Sequence, residues 1–202
     1  MIIIAIGAFQ CASLTGLERS KQTSVSLEAL DNDIKLIVVQ LDGINSSLYE
    51  VTKSGQSDIK KAFDLYTKNI ENIDKMEKNY KVHSEELKSQ GKNYFSEWKK
   101  EGGKYNNPEI QELSDTRRNE LSEVYESIAS NSVGVKDAFH SFVLDASEIQ
   151  TYLSNDLTRR GVESITPISN RVQEDAIKLR NAIKRIQTPI EKARRQMVQQ
   201  GK

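Results

Sequence analysis

Asp137 and His140 stand three residues apart, a spacing that brings a carboxylate and an imidazole to one face of a helix. Used twice, and joined by two further inward carboxylates, that motif builds the di-metal sites of carboxylate bundles. Here the set is incomplete. The other candidate, His83 with Glu86, has the order reversed, and the chain has no third histidine. Neither histidine falls on an apolar heptad position, so both are expected at solvent. The single cysteine, Cys11, excludes a disulfide within the chain and sets aside a zinc site of Cys and His ligands. Nor is there a glycine-rich phosphate loop, a Ser-His-Asp set or a Cys-His nucleophile pair. No catalytic residue, metal or cofactor is expected.

A second chemical feature is recognition. Tyr94, Phe95, Trp98 and Tyr105 fall within twelve residues beside Gly102-Gly103, and Trp98 is the only tryptophan. Aromatic side chains at the end of a rigid element are frequent anchors of protein interfaces. Tyr94 and Trp98, one helical turn apart, could instead close a hairpin core against Ile110 and Leu113. Phe95 and Tyr105 are harder to absorb that way, so Phe95, Trp98 and Tyr105 are the candidate partner-binding residues.

A third is acylation. Met1 to Phe9 is apolar throughout and runs through Gln10 into Cys11. It is too short to span a bilayer, which takes about 20 apolar residues. It is similar to the end of a secretory signal running into the cysteine of a bacterial lipoprotein, whose thiol receives a lipid. Ala8 stands where such signals usually carry Leu, Gln10 where they carry a small residue, and no Lys or Arg precedes the run. The competing reading is a short, partly buried N-terminal segment with an inert thiol. Export with a lipid on Cys11 is the expectation carried forward.

The composition says what must position these groups. Of 202 residues, 29% are charged and only 6% aromatic, with three prolines and ten glycines. That suits long helices with wet outer faces better than a sheet protein. Basic and acidic residues number 29 each, so the whole molecule has no bias toward nucleic acid, and no nucleic-acid partner is expected. The doublets Arg117-Arg118, Arg159-Arg160 and Arg194-Arg195 are separated and read as solvated faces or ion-pair partners. From Arg159 onward, however, 11 basic residues face four acidic ones, a net of +7, and the preceding part carries −7. Because Ile168, Val172, Leu179, Ile183 and Ile186 interleave with these charges, a basic last helix packed beside acidic earlier ones is expected rather than a basic arm.

Leu27, Leu30, Ile34, Ile37, Leu41, Ile44, Leu48 and Val51 step at 3, 4, 3, 4, 3, 4, 3 residues. The mean of 3.5 keeps one apolar seam facing a partner helix. The first helix is therefore expected from about Ser24 to Thr52, with Gly55 in the turn and Ser57 as the next N-cap. The second carries Ile59, Phe63, Tyr66, Ile70, Ile73, Tyr80, Leu87, Tyr94 and Trp98, with the frame degraded at Glu77, Ser84 and Gly91, and stops at Gly102-Gly103. Asn107-Pro108-Glu109 is a strong start signal for the third. That helix pauses near 155–161, as a hairpin or a bend, before a fourth with Pro167 in its early part. At 1.5 Å per residue the second helix spans roughly 65–70 Å and the first only about 43 Å. The expectation is an all-α, elongated antiparallel bundle or coiled coil of about four long helices, with the second–third hairpin projecting. Residues 1–11 form the leader, 12–23 a linker and 24–200 one helical domain.

The segments Tyr94–Arg118 (YFSEWKKEGGKYNNPEIQELSDTRR) and Tyr152–Ile168 (YLSNDLTRRGVESITPI), taken with the Cys11 leader, resemble the bacterial domain-of-unknown-function 2959 family. Phe95-x-Glu97-Trp98, the loop after it, the Arg-containing start of the third helix and Tyr152-Leu153 carry the likeness. It covers nearly the whole chain after Cys11. It implies an exported, all-helical, coiled-coil protein with a lipoprotein-type signal, and supplies no activity or ligand.

The functional expectation is a non-enzymatic structural or partner-binding component of the bacterial envelope, in the periplasm or at the outer membrane. Cys11 would hold one end and the aromatic hairpin tip would reach an unknown protein partner tens of ångströms away. The alternative is a cytoplasmic scaffold binding a protein or membrane surface through its basic last helix. A second copy of the chain is a further candidate partner, since Leu36 and Val38 flank the first seam. In the native host, labelled fatty acid should enter the wild-type protein and follow the membrane fraction, and Cys11→Ser should lose both. Unlabelled full-length protein in the cytosol would overturn the anchored reading.

Overall fold

In a computed structural model, residues 15–53 and 55–197 are described, and all regular structure among them is helical. The leader 1–11 with Cys11, the first part of the expected linker, Ser54 in the first turn and residues 198–202 lie outside the described residues. Five helices follow in order: α1 (Gly16–Thr52), α2 (Ile59–Gly102), α3 (Pro108–Asn155), the short α4 (Arg159–Ser164) and α5 (Thr166–Met197). None is long and apolar enough to cross a membrane.

The α1 seam is an unbroken row of the core: all eight side chains from Leu27 to Val51 are at most 1% exposed. α1 begins eight residues before the expected Ser24, so 16–23 is helix rather than linker. Thr15 and Glu18 form a capping box: the Glu18 N–H donates to Thr15 Oγ1 at 3.3 Å, and the Thr15 N–H donates to Glu18 Oε2 at 2.7 Å. The seam also continues backward, but in polar residues, with Thr23 and Arg19 both buried. Asp58, not Ser57, caps α2 through the Lys61 N–H. Gly55 does take the left-handed conformation, at φ 77°. Asn107 caps α3 with Pro108 in its first turn.

The pause after α3 is a true reversal. Thr158 caps α4 through the Gly161 N–H, and a Cβ at Gly161 would lie 2.2 Å from the Asp156 carbonyl oxygen, so only glycine fits. Pro167 sits in the first turn of α5, where it removes no helical hydrogen bond.

α1 packs against α2 and α5, and α3 packs against the same two helices. Cross-pairs fix each neighbour as antiparallel. Asn69 Nδ2 donates to the Gly43 carbonyl and Ser47 Oγ across α1–α2. Tyr66 Oη donates to the Ala146 carbonyl at 2.8 Å, and Trp98 Nε1 to Ser114 Oγ at 2.9 Å, across α2–α3. Asp145 meets Arg171 across α3–α5, and Asp31 meets Arg194 across α1–α5.

The projecting two-helix stalk is not found. Arg19 near the start of α1 pairs with Glu101 in the last turn of α2 at 3.0 Å, so α1 runs alongside α2 to its tip. The extra two turns of α1, about 12 Å, account for the difference. On the α5 side Arg117 Nη2 donates to the Gln196 carbonyl at 2.8 Å, leaving the first turns of α3 beyond that contact. Of the residues flanking the first seam, Leu36 is exposed and Val38 is half-buried against the core.

Replacing Leu41 by Ala should lower unfolding stability by about 2–5 kcal/mol, because the site is fully buried between helices that relax only partly. The same change at exposed Leu36 should stay within about 0.5 kcal/mol. Urea unfolding followed by circular dichroism compares the two.

Candidate functional site

The last three turns of α2 carry a run of aromatic rings. Tyr94 lies 5.1 Å from Phe95 and 5.5 Å from Trp98, centroid to centroid, and Phe95 meets Tyr125 of α3 edge-on at 5.4 Å. Phe95 and Trp98 are therefore half-buried members of one cluster rather than free anchors. Tyr105, in the α2–α3 loop, stands apart from those rings and is 46% exposed. Ile110 and Leu113, expected to close the hairpin core against Tyr94 and Trp98, are instead exposed at 48% and 72%. Trp98 turns to Ser114 instead, one residue further on.

These exposed groups share an end of the bundle. Leu17, 64% exposed, lies two residues from Arg19 and so beside Glu101. Tyr105, Ile110 and Leu113 belong to the loop and the first turns of α3 at that same end. Cys11 precedes Thr15 by four residues, a reach of at most about 14 Å. Cys11 itself lies outside the described residues; α1, which follows it in the chain, begins at the end of the bundle that carries the α2–α3 loop.

A feature missed in the sequence lies further along the same hairpin. Between α2 and α3 there is a cavity of about 350 Å³, with Leu30 of α1 at its floor and Leu87, Phe95, Tyr125 and Ile128 among its walls. Its signal was present as Ser84 and Gly91, two successive small residues on the α2 frame. Gly91 is the place where the Tyr125 ring is received: a Cβ there would stand 3.0 Å from Tyr125 Cδ1.

The titratable groups elsewhere are paired structurally. His83 Nδ1 lies 2.6 Å from Asp33, and the exposed His140 lies 3.5 Å from buried Glu77, which Lys81 also meets at 2.6 Å. Among the described residues no group of three or more His, Cys, Asp or Glu could hold a metal ion. On α5, Arg171, Arg180 and Arg194 answer Asp145, Asp42 and Asp31 of the acidic helices. The basic last helix is thus bound into the bundle by its charges, as expected from the interleaved apolar stripe. Arg117-Arg118 and Arg194-Arg195 likewise have carboxylate partners.

No known protein-family model, curated protein or solved structure matches this chain.

Burial pushes the phenols of Tyr125, Tyr66 and Tyr80 well above the ordinary tyrosine value. A raised folded value means that the neutral phenol is favoured in the bundle. Its contribution is complete below the unfolded value near pH 10 and is lost as pH rises toward the folded one. The urea midpoint should therefore fall as pH climbs past about 10. Tyr125→Phe should fall less steeply than wild type over that range. Parallel profiles would show that Tyr125 is not ionising on unfolding.

Proposed function

We propose that the protein is a non-enzymatic helical scaffold of the bacterial envelope that binds a protein partner at its α1-start and α2–α3-loop end. The observation that carries this reading is the gathering of Leu17, Tyr105, Ile110 and Leu113, each at least 46% exposed, at that end. Exposed apolar side chains concentrated on one surface favour association, whereas singly scattered ones need no explanation. Tyr105 supplies the aromatic anchor, while Phe95 and Trp98 stiffen the hairpin beneath it through their ring contacts and the bond to Ser114. The 3.5-residue spacing of the α1 seam supports left-handed coiled-coil packing among the long helices. The likeness to the 2959 family and the leader ending at Cys11 support export and a lipid tether. The tether would then hold the binding end close to the membrane rather than away from it.

The alternative, a scaffold working through its basic last helix, loses support from the engagement of Arg171, Arg180 and Arg194 with acidic partners.

A photo-crosslinking amino acid placed at Tyr105 should yield one discrete adduct in the native host, and one at exposed Val39 in mid-α1 should yield none. Ile110→Ser with Leu113→Ser should abolish the adduct while leaving helix content unchanged. No adduct from position 105, or equal yields from both positions, would overturn the reading.

A further inference from the structure

We infer that the α2–α3 cavity is a binding site for a single-chain amphiphile with an anionic head, a fatty acid in chemical class. This site is separate from the exposed end surface and does not depend on it. Leu30, Leu87, Ile128, Phe95 and Tyr125 leave an apolar interior, and the small residues Ser84 and Ala129 also line it.

The hydroxyls around it are already committed. Ser132 Oγ and Tyr80 Oη bond each other at 3.1 Å, Ser84 donates to the Lys81 carbonyl, and Tyr125 Oη donates to the Met197 sulfur. An alkyl chain needs no partner in that interior, whereas a polar body would have to compete with these bonds. About 350 Å³ holds roughly ten methylene groups, each taking about the space of a water molecule. That volume also falls within the range of small-molecule pockets.

The rim decides the head group. Lys88 and Lys92 stand one turn apart on the α2 side, and Lys92 makes no ion pair among the described residues. Lys88 reaches only Glu85, at 4.0 Å, and Glu85 is held more closely by Lys136 of α3 at 2.5 Å. The lone acid of the rim, Glu126, lies on the α3 side and accepts from Ser122 at 3.4 Å. Its charge opposes a carboxylate on that wall and so favours placement of the head against the two lysines. An alkyl chain inside and a carboxylate at Lys88 and Lys92 satisfy both parts of the site together.

The test titrates decanoate, below its micellar concentration, into the purified, delipidated full-length protein. Calorimetry gives the stoichiometry, and Trp98 emission, one turn beyond Phe95, follows occupancy. One decanoate per chain is expected. Decyltrimethylammonium should bind distinctly more weakly. Lys88→Glu with Lys92→Glu should weaken decanoate by roughly tenfold, the factor that about 1.4 kcal/mol represents. Ala129→Leu, which fills the cavity from a half-buried wall position, should abolish binding of either head group while circular dichroism shows the fold intact. If Ala129→Leu fails to fold, Ala129→Val serves the same purpose with a smaller intrusion. The assignment is overturned by any one of four results: no saturable decanoate binding, equal binding of the cationic amphiphile, no effect of the charge reversals, or wild-type binding by a folded cavity-filled variant.

Discussion

Everything in this bundle follows from the need to cover the α1 seam. Eight aliphatic side chains at a 3.5-residue period form one apolar row, and each is worth about 1.5–3 kcal/mol when fully buried. A row that straight cannot be hidden by a short element. It requires neighbours that run beside it for seven turns, and α2 and α5 are those neighbours. Their remaining apolar faces, led by Tyr66, Tyr80, Leu179 and Ile186, must then be covered in turn, and α3 closes the ring from the opposite side with Phe139 and Phe142. The short loops after α1 and α2 force antiparallel entry, so the path of the chain is a consequence of seam length and loop length together.

An apolar seam does not by itself choose a register, since a slide of one heptad buries a similar row. The choice falls to buried polar contacts, each of which is satisfied in one alignment. Tyr66 reaches the Ala146 carbonyl, Tyr80 meets Ser132, and Asn69 bonds Gly43 and Ser47 while receiving Gln40. Asp31, nearly buried, is met by both Lys35 and Arg194 at 2.7 Å. Sliding any pair of helices would leave these groups desolvated without partners, a cost of about 1–3 kcal/mol apiece. Such contacts add less to stability than to the uniqueness of the arrangement.

What the sequence made legible tracks the chemistry of each position. The α1 seam, the Asn107-Pro108 start and the left-handed Gly55 were visible because apolar period, capping and φ > 0 each leave a residue signature. The first two turns of α1 were hidden because the seam there passes into Arg19 and Thr23, buried yet polar, so the periodicity fades although the helix does not. Thr15-x-x-Glu18 was the local signal that marked the true start. Small residues proved hardest to interpret. Ser84 and Gly91 read as a weakening seam, whereas both are buried: Gly91 receives the Tyr125 ring, and both residues line the α2–α3 cavity with Ala129. Volume left empty is a property of two facing helices, and one chain position cannot announce it. The aromatic cluster at the end of α2 was visible in the sequence, but its contact with α3 was not, because Phe95 meets Tyr125 thirty residues further along the chain and adjacent only in the antiparallel register.

The direction of α1 constrains any account of how such a bundle works in an envelope. An antiparallel α1 must begin where α2 ends, and the Arg19–Glu101 pair places that beginning beside the α2–α3 loop. Under the proposed tether, a lipid joined a few residues before Thr15 would draw the loop toward the bilayer, and the α1–α2 turn, at Lys53 to Asp58, would become the distal end. Length in this molecule would then serve to carry the distal turn outward, not the aromatic tip. The exposed Leu17, Tyr105, Ile110 and Leu113 would meet partners that themselves lie at the membrane surface, where free diffusion is confined to two dimensions and a modest apolar contact is reinforced by shared tethering. The proposed amphiphile site would fit that placement, because Phe95 on its wall lies less than two turns from Glu101 and hence within about 10 Å of that end along the helix axis.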